Sequence, residues 1–349
     1  MKMSNALVQI VMRKRNQRKN AEQLRLTTSE GIAESRFVRI GGIDQWVTIR
    51  GENRRNPVLL FIHGGPGSVY SIFSPLLRSW EKDFTIVQWD QRGAGKTFRR
   101  SGKQGSGLLT FDQLTRDGIE LSEYLCGKLQ QTKLILVGSS AGSLTGITMA
   151  KRRPDLYHAY VGTDQNAPDP QHLGHRLLME AFRSTGNKKG AELLERMGTD
   201  PSAWNSGDVD ARNRLMVKAI RGVPNMITDL IMPSMLSSPE HTMRDMMDMF
   251  KGMKFSAEAL HEDMVRFDFD QIGYRFELPV FIVQGDSDFI TPTATARAYY
   301  DRIDAPYKEF VLIQKAGHLA CFSRPEQFFG VLQKKVRPLA VDAEMKQAR

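Results

Sequence analysis

Cysteine is scarce in this chain of 349 residues, and long apolar runs are missing. Cys126 and Cys321 are too few for a disulfide framework and form no metal-binding pattern. No run of 18 apolar residues is present to cross a bilayer, and the hydrophobic (41%) and charged (25%) fractions are those of an ordinary globular protein. The composition therefore predicts a soluble, cytoplasmic protein with reduced thiols, no metal and no cofactor.

The formal net charge of +10 is concentrated near the N-terminus, where seven Lys and Arg residues among the first 25 residues oppose only Glu22. The apolar stretch ALVQIVM precedes the basic cluster, which is the reverse of the order in a signal peptide. The segment 1–30 is interpreted as a solvated or docking helix, or else as a weak electrostatic anchor for RNA or another acidic surface. Because the remaining chain is only mildly basic, no nucleic-acid partner is expected.

Apolar, β-branched runs alternate with helical patterns along most of the chain, which is typical of an α/β protein with a mostly parallel sheet. An opening hairpin turns at Gly41 and Gly42. Buried strands are predicted at 57–63, 84–90, 133–138, 158–164, 279–285 and 309–314. Helix starts are predicted from a capping box of Thr110 and Gln113, a second of Ser323 and Glu326, and Thr291 followed by Pro292 at the first helical position.

Residues 167–270 interrupt this alternation, because no convincing strand occurs among them. We expect a helical cap inserted into a core formed by 31–166 and 271–349. Nine of the 17 methionines lie between Met226 and Met264, where they either fill gaps in the core or form an adaptable apolar ceiling over a pocket.

The stretch VGSSAGS contains the pattern G-x-S-x-G with Ser140 at its centre. It lies between a predicted strand and a predicted helix, the context of a nucleophile elbow, in which a strained turn exposes the central serine. Ser139 and Ser143 are expected to be structural. The pattern predicts Ser140 as a nucleophile and the amide of Ala141 as an oxyanion donor.

A second glycine-rich turn, FIHGGPG, follows the first long buried strand. Bare backbone amides at such a turn can stabilise an oxyanion. Gly65 is the preferred donor, and Gly64 is the neighbour with which it could be confused. His63, Pro66 and Gly67 complete the supporting loop.

A base and an orienting acid must follow the nucleophile in the order serine, acid, histidine. His318 is the one histidine in a loop after the last predicted strand. In QGDSDFITP, Asp288 is the preferred acid because the longer loop lets it reach the imidazole, and Asp286 is the alternative.

Together, HGGPG, DQRGAGKT, the elbow, GDSD and GH resemble the proline iminopeptidase family of the α/β-hydrolase superfamily over residues 35–335. The resemblance implies an α/β-hydrolase fold, a mostly parallel sheet flanked by helices with an inserted helical cap. It also implies that Ser140, His318 and Asp288 act as nucleophile, proton carrier and orienting acid.

The ending GAGKT lacks the first glycine of a phosphate-binding loop, since that position is Asp90. An ion pair of Asp90 with Arg92 beside the active site is expected instead.

The chain departs from that family at two points. Ala141 stands where the family has tryptophan, which removes a wall of the acyl pocket. No segment resembles the family's amine-binding pattern, and none of the acidic cap residues is singled out: Glu180, Glu192, Glu195, Glu240, Asp245 and Asp248. The sequence thus favours a serine hydrolase of short peptides or small molecules, with a carboxylesterase or lactonase as one alternative and a ligand-binding receptor on a hydrolase fold as another.

Overall fold

One eight-stranded sheet organises the computed structural model, which describes residues 9–200, 203–219 and 222–347. The strands are β1 (Ile32–Ile40), β2 (Ile43–Gly51), β3 (Val58–Ile62), β4 (Thr85–Asp90), β5 (Leu134–Ser139), β6 (Tyr157–Thr163), β7 (Val280–Gly285) and β8 (Lys308–Ile313). Their spatial order is β1-β2-β4-β3-β5-β6-β7-β8. The β1–β2 and β2–β4 pairs are antiparallel and all the others are parallel. The predicted strands and the opening hairpin are confirmed.

Alternate residues of the central strands belong to two separate cores, one on each face of the sheet. Leu59 and Phe61 of β3 pack on one face, whereas Leu60 and Ile62 pack on the other. Side chains alternate between the faces of a strand, so a strand with helices on both sides must be apolar throughout. Every residue of β3 is buried accordingly.

Helices cover both faces of the sheet and extend beyond it. They are α1 (Arg13–Gln23), α2 (Gly95–Gly105), α3 (Phe111–Leu129), α4 (Ala141–Arg152), α5 (Leu173–Ser184), α6 (Lys188–Met197), α7 (Ser206–Ala219), α8 (Met232–Ser237), α9 (Met243–Val265), α10 (Phe269–Ile272), α11 (Thr293–Arg302), α12 (Ala320–Ser323), α13 (Pro325–Val331) and α14 (Arg337–Gln347). A 3₁₀ helix spans Ser71–Lys82, and π-helical turns precede α8 and α14. In the described part of the chain, only helices and loops join β6 to β7.

Three predicted helix starts have different outcomes. Thr110 caps α3 by accepting from the Gln113 amide at 3.1 Å, but the Gln113 side chain bonds Asp117 instead of closing the box. The predicted capping box of Ser323 and Glu326 is wrong. The residue that caps α13 is Arg324, and the buried Ser323 hydroxyl has no partner among the described residues. Thr291 is no cap either, because α11 begins one residue after Pro292.

The basic N-terminal segment contributes a helix that docks onto the body of the protein. The Arg13 guanidinium donates to the His241 carbonyl at 2.9 Å, and the Gln17 amide donates to the Ser238 carbonyl at 2.7 Å. Asn20 donates to the Ser237 carbonyl one turn further along. The docking-helix interpretation is therefore confirmed for α1, while residues 1–8 lie outside the described range. No helix of the described chain is both long and apolar enough to span a bilayer.

Candidate active site

Five neighbouring parallel strands end at the same edge of the sheet, and four of them lead into a predicted site residue or its loop. β3 leads into the glycine-rich turn, β5 into Ser140, β7 into the loop of Asp288 and β8 into the loop of His318. β6, which lies between β5 and β7, leads into Asp164. Loops at the carboxyl edge of such a sheet are where α/β proteins hold their ligands.

Ser140 lies on a sharp turn between β5 and α4, with a φ of 53° and a ψ of −130°. This strained conformation is held by the Ser140 amide, which donates to the carbonyls of Thr163 at 3.2 Å and Asp164 at 3.1 Å. Gly142 is required for packing, since a Cβ there would lie 2.3 Å from the Ile62 carbonyl oxygen. The turn thus presents the Ser140 side chain at the sheet edge.

The structure brings Ser140, His318 and Asp288 into one chain of hydrogen bonds. His318 Nε2 lies 3.0 Å from Ser140 Oγ, and His318 Nδ1 lies 2.9 Å from Asp288 Oδ2. Both distances are those of good hydrogen bonds. The imidazole can therefore take a proton from the hydroxyl while the carboxylate holds its other nitrogen.

Asp288 is fixed by its own loop. Asp288 Oδ1 accepts from the amides of Ile290 and Thr291 at 2.8 and 3.1 Å, and Oδ2 accepts from the Thr291 hydroxyl at 2.8 Å. Asp286, the alternative acid, instead accepts from the amides of Lys315 and Ala316. Asp288 thus contacts the His318 imidazole, whereas Asp286 stabilises the loop that carries His318.

The two carboxylates near His318 raise the pKa of its imidazole. Burial by itself would lower the pKa of His318, but the negative charges of Asp288 and Asp164 raise that pKa to about 9. One carboxylate oxygen each of Asp164 and Asp288 and one ring nitrogen of His318 lie within 4.8 Å of one another, close enough to bind one metal ion together. Both ring nitrogens already have hydrogen-bond partners, so the arrangement suits proton transfer without any rearrangement.

The turn of His63, Gly64, Gly65, Pro66 and Gly67 adjoins Ser140. A Cβ on Gly64 would lie 2.6 Å from Ser140 Cβ, so this position requires glycine. The Gly64 amide donates to Tyr70 Oη at 3.2 Å. His63 is buried, its Nε2 accepts from the Gln91 amide at 3.2 Å, and burial lowers its pKa to about 4. His63 is thus a neutral structural residue of this turn.

A buried chain of side chains that the sequence analysis missed runs beneath the elbow. Ser139 Oγ lies 2.7 Å from Tyr70 Oη and donates to Asp164 Oδ2 at 3.0 Å. Asp164 Oδ1 accepts from the Ala320 amide at 3.2 Å, next to the His318 loop. The one sequence signal for Asp164 is its place at the end of the buried strand predicted over 158–164.

The expected ion pair between Asp90 and Arg92 is wrong. The Arg92 guanidinium pairs with Asp117 on α3 at 2.9 Å and also donates to the Gly41 and Ser106 carbonyls. Asp90 accepts from the Lys96 amide at 2.8 Å, and burial raises its pKa to about 7. The chain leaves the sheet after Asp90, so the two side chains point in different directions and each finds a different partner.

Ala141 lines a cavity behind the elbow, but that cavity is small. Its volume is about 10 Å³, comparable with one water molecule, and its lining includes Phe111, Leu114 and Leu260. α9 closes this side, since the Ser256 hydroxyl donates to the Gly93 carbonyl at 3.0 Å. This cavity is therefore not the open acyl pocket expected from the small Ala141 side chain.

Comparisons with known proteins agree with this architecture. The family model described as the alpha/beta hydrolase fold matches residues 57–325. The chain is 27% identical to "Probable aminopeptidase YbaC" of Bacillus subtilis, over 88% of this chain and 98% of that protein. It is 24% identical to "Proline iminopeptidase" of Clostridioides difficile, over 85% and 95%. A proline iminopeptidase-related protein from Thermus thermophilus has a similar fold, with 18% identity, a TM-score of 0.56, and coverage of 88% and 99%.

Three observations assign the chain to a fold family: the order of the strands, the strained serine after β5, and the family match over most of the chain. The predicted fold class is confirmed. This chain belongs to the α/β-hydrolase fold family.

Proposed function

We propose that this protein is a serine hydrolase that cleaves amide or ester bonds of small substrates through an acyl-enzyme. The observation that carries the proposal is the hydrogen-bonded chain from Ser140 Oγ through His318 to Asp288, at 3.0 and 2.9 Å. A serine hydroxyl is a weak nucleophile unless an adjacent base removes its proton. Here the base is in contact with the hydroxyl and is itself oriented by a carboxylate.

In the proposed reaction, Ser140 Oγ attacks the carbonyl carbon of the substrate while its proton passes to His318 Nε2. The imidazolium then gives that proton to the leaving amine or alcohol, which departs and leaves an acyl group on Ser140. A water molecule attacks the acyl carbon, with its proton passing to His318 and then to Ser140 Oγ as the acid is released. Asp288 holds the imidazole throughout and stabilises its positive charge.

The proposed oxyanion donors are the amides of Gly65 and Ala141. The choice of Gly65 over Gly64 is supported by the hydrogen bond that already occupies the Gly64 amide, which donates to Tyr70 Oη at 3.2 Å. Ala141 is the first residue of α4, where the backbone amide has no partner within the helix. The Ala141 amide follows Ser140 in sequence, and the Gly65 amide follows Gly64, which adjoins Ser140 in space.

We further propose residues 167–270 as a cap over this site, with 31–166 and 271–349 as the core. The support is that only helices and loops occur in the described part of this segment.

The free thiols of Cys126 and Cys321 support a reducing compartment, which is the cytoplasm in our proposal.

The leading substrates are short peptides or amino-acid amides, because the relatives that cover most of the chain are named aminopeptidase and proline iminopeptidase. A carboxylesterase or lactonase is the second candidate. It is favoured by the engagement of several acidic residues between β6 and β7: Asp245 and Asp248 face Arg99, and Glu195 faces Arg183. An aminopeptidase needs a free carboxylate for the substrate's amine, and these three already face cations.

The test compares the protein with its Ser140→Ala variant on prolyl and alanyl aryl-amides and on short-chain aryl esters. Ser323→Ala is the matched control, since that buried hydroxyl has no partner among the described residues. We expect Ser140→Ala to abolish turnover and Ser323→Ala to retain it. Faster cleavage of amides supports the peptidase, whereas ester cleavage alone supports the esterase. Turnover that survives in Ser140→Ala contradicts the proposal, and a folded protein that hardly turns over any acyl substrate favours the receptor alternative.

A further inference from the structure

The outward surface of α9 combines large apolar residues with cations. Met243, Met247 and Phe250 are each more than half exposed, at 55%, 56% and 55%, and their spacing places them on one side of the helix. Arg244, Lys251 and Lys254 flank them, also exposed. Exposed large apolar side chains on one stripe of a helix usually mark an interaction surface.

The acidic residues of this part of α9 face inward. Asp245 is buried and pairs with Arg99 at 2.6 Å, while Asp248 lies 3.7 Å from the same guanidinium. Lys251 and Arg244 also lie near Asp248, at 3.7 and 4.0 Å, but both extend into solvent. From residue 242 to residue 254, therefore, the exposed side chains are apolar or basic apart from Thr242.

The N-terminal helix repeats this pattern. Its docked side carries Arg13, Gln17 and Asn20, which bond to carbonyls of the body. The exposed residues at the other side, from residue 10 to residue 19, are all apolar or basic: Ile10, Val11, Lys14, Arg15, Arg18 and Lys19. Ile10 and Val11 are 56% and 80% exposed. No acidic residue occurs between residues 9 and 21.

The N-terminal helix α1 contacts the turn that precedes α9. Arg13 and Gln17 of α1 both donate to the His241 carbonyl, at 2.9 and 3.3 Å, and His241 lies two residues before α9 begins. The exposed side chains of α1 and the turn before it (residues 10–19) and of α9 (residues 243–254) thus flank a shared junction. We call these exposed side chains together the basic-apolar surface.

We propose that the basic-apolar surface docks the protein onto an anionic phospholipid bilayer. Seven Lys and Arg side chains provide the attraction to acidic headgroups, and Ile10, Val11, Met243, Met247 and Phe250 enter the boundary between headgroups and acyl chains. This binding mode is peripheral and independent of the proposed hydrolase activity.

The charge pattern of this surface favours a lipid bilayer over two other binding partners, a second copy of the chain and a nucleic acid. A second copy of the chain would bring like charges together across a twofold interface, which is repulsive. A nucleic acid would satisfy the cations, but it offers no apolar environment to exposed methionine, isoleucine and valine side chains. A lipid interface satisfies both components at once.

The test is co-sedimentation of the full chain with vesicles of phosphatidylcholine alone and with vesicles that contain phosphatidylglycerol. We expect binding to the anionic vesicles that weakens as salt increases, and little binding to the neutral ones. Met247→Ser combined with Phe250→Ser, and separately the change of Lys14, Arg15, Arg18 and Lys19 to Gln, should each weaken binding about tenfold or more. Leu108→Ser is the matched control, because Leu108 is 66% exposed and lies on a loop after α2, outside the basic-apolar surface.

Circular dichroism and turnover of the aryl substrates show whether each variant remains folded. Three results would overturn the proposal: equal binding to neutral vesicles, anionic binding that the α9 variant leaves unchanged, or tighter binding to a generic RNA than to anionic vesicles. A concentration-dependent dimer that the α9 variant dissolves, without vesicle binding by the parent chain, would instead assign the surface to a second copy.

Discussion

Ser139, the residue before the proposed nucleophile, donates its hydroxyl to Asp164 Oδ2 at 3.0 Å. The same hydroxyl oxygen lies 2.7 Å from Tyr70 Oη, which in turn accepts from the Gly64 amide. If the Gly64 amide donates to Tyr70, Tyr70 donates to Ser139, and Ser139 donates to the Asp164 carboxylate, each of these groups has a hydrogen-bond partner. The elbow, the glycine turn and the loop of His318 are thereby connected through Asp164.

Asp164→Asn should change the pH dependence of the reaction. The negative charges of Asp288 and Asp164 both raise the pKa of His318, so removal of one charge lowers that pKa. His318 must be neutral to act as a base, so activity rises as pH increases through its pKa. The acidic limb of kcat/KM against pH should therefore move to lower pH.

The control for this change is Asp301→Asn, at an exposed residue that pairs with Arg297. It should leave the limb unchanged. A merely structural role for Asp164 predicts a lower rate at every pH without a displaced limb, and that result would contradict the electrostatic role.

Asp288→Asn should lower kcat by roughly 10³- to 10⁴-fold, because an amide cannot hold the imidazole in the required tautomer and charge state. Asp286→Asn is the matched control. Asp286 bonds the Lys315 and Ala316 amides, so its change should affect stability more than kcat. Steady-state kinetics of the two variants on the best substrate decide between the two acids, and a larger loss of kcat at Asp286 would reverse the assignment.

Tyr70→Phe should destabilise the protein by about 1–3 kcal/mol, because it leaves the buried Gly64 amide without an acceptor and removes the hydrogen bond between Tyr70 Oη and Ser139 Oγ. It should also lower kcat, since the Gly64–Gly65 turn loses its anchor. Tyr299→Phe makes the same chemical change at a buried hydroxyl that has no partner in the described chain, and should cost less than about 0.5 kcal/mol. Urea unfolding and kcat measure both effects; equal losses in the two variants would show that the bond to Gly64 is unimportant.

Arg92→Ala should cost about 3–5 kcal/mol of unfolding free energy, because it leaves the buried Asp117 carboxylate without its cation. Arg266→Ala removes an exposed pair with Glu262 and should cost less than about 1 kcal/mol. Denaturant unfolding of the two variants provides the comparison. A loss below about 1 kcal/mol at Arg92 would mean that water replaces the guanidinium at this site.

Local patterns in the sequence predicted the strands and the elbow, since each depends on residues close together in the chain. The order of Ser140, Asp288 and His318 instead came from the order serine, acid, histidine that this architecture requires. The same reasoning failed wherever a polar group had a choice of partners. Asp90 and Arg92 are two residues apart, but Arg92 reaches Asp117 on α3 and Asp90 reaches the Lys96 amide. The sequence predicts a helix start at Thr291, whereas the Thr291 hydroxyl donates to Asp288.

The sequence by itself determined the periodicity of the strands and the glycines at the two turns, because these follow from local backbone geometry and from burial on both faces of a sheet. Only the tertiary structure decided which side chains share the sheet edge. Asp164 and Tyr70 are 94 positions apart in the numbering, and they join the site only because β6 lies beside β5 and the 3₁₀ helix begins beside the glycine turn. Distances of a few ångströms between remote residues depend on strand order, which local sequence patterns do not encode.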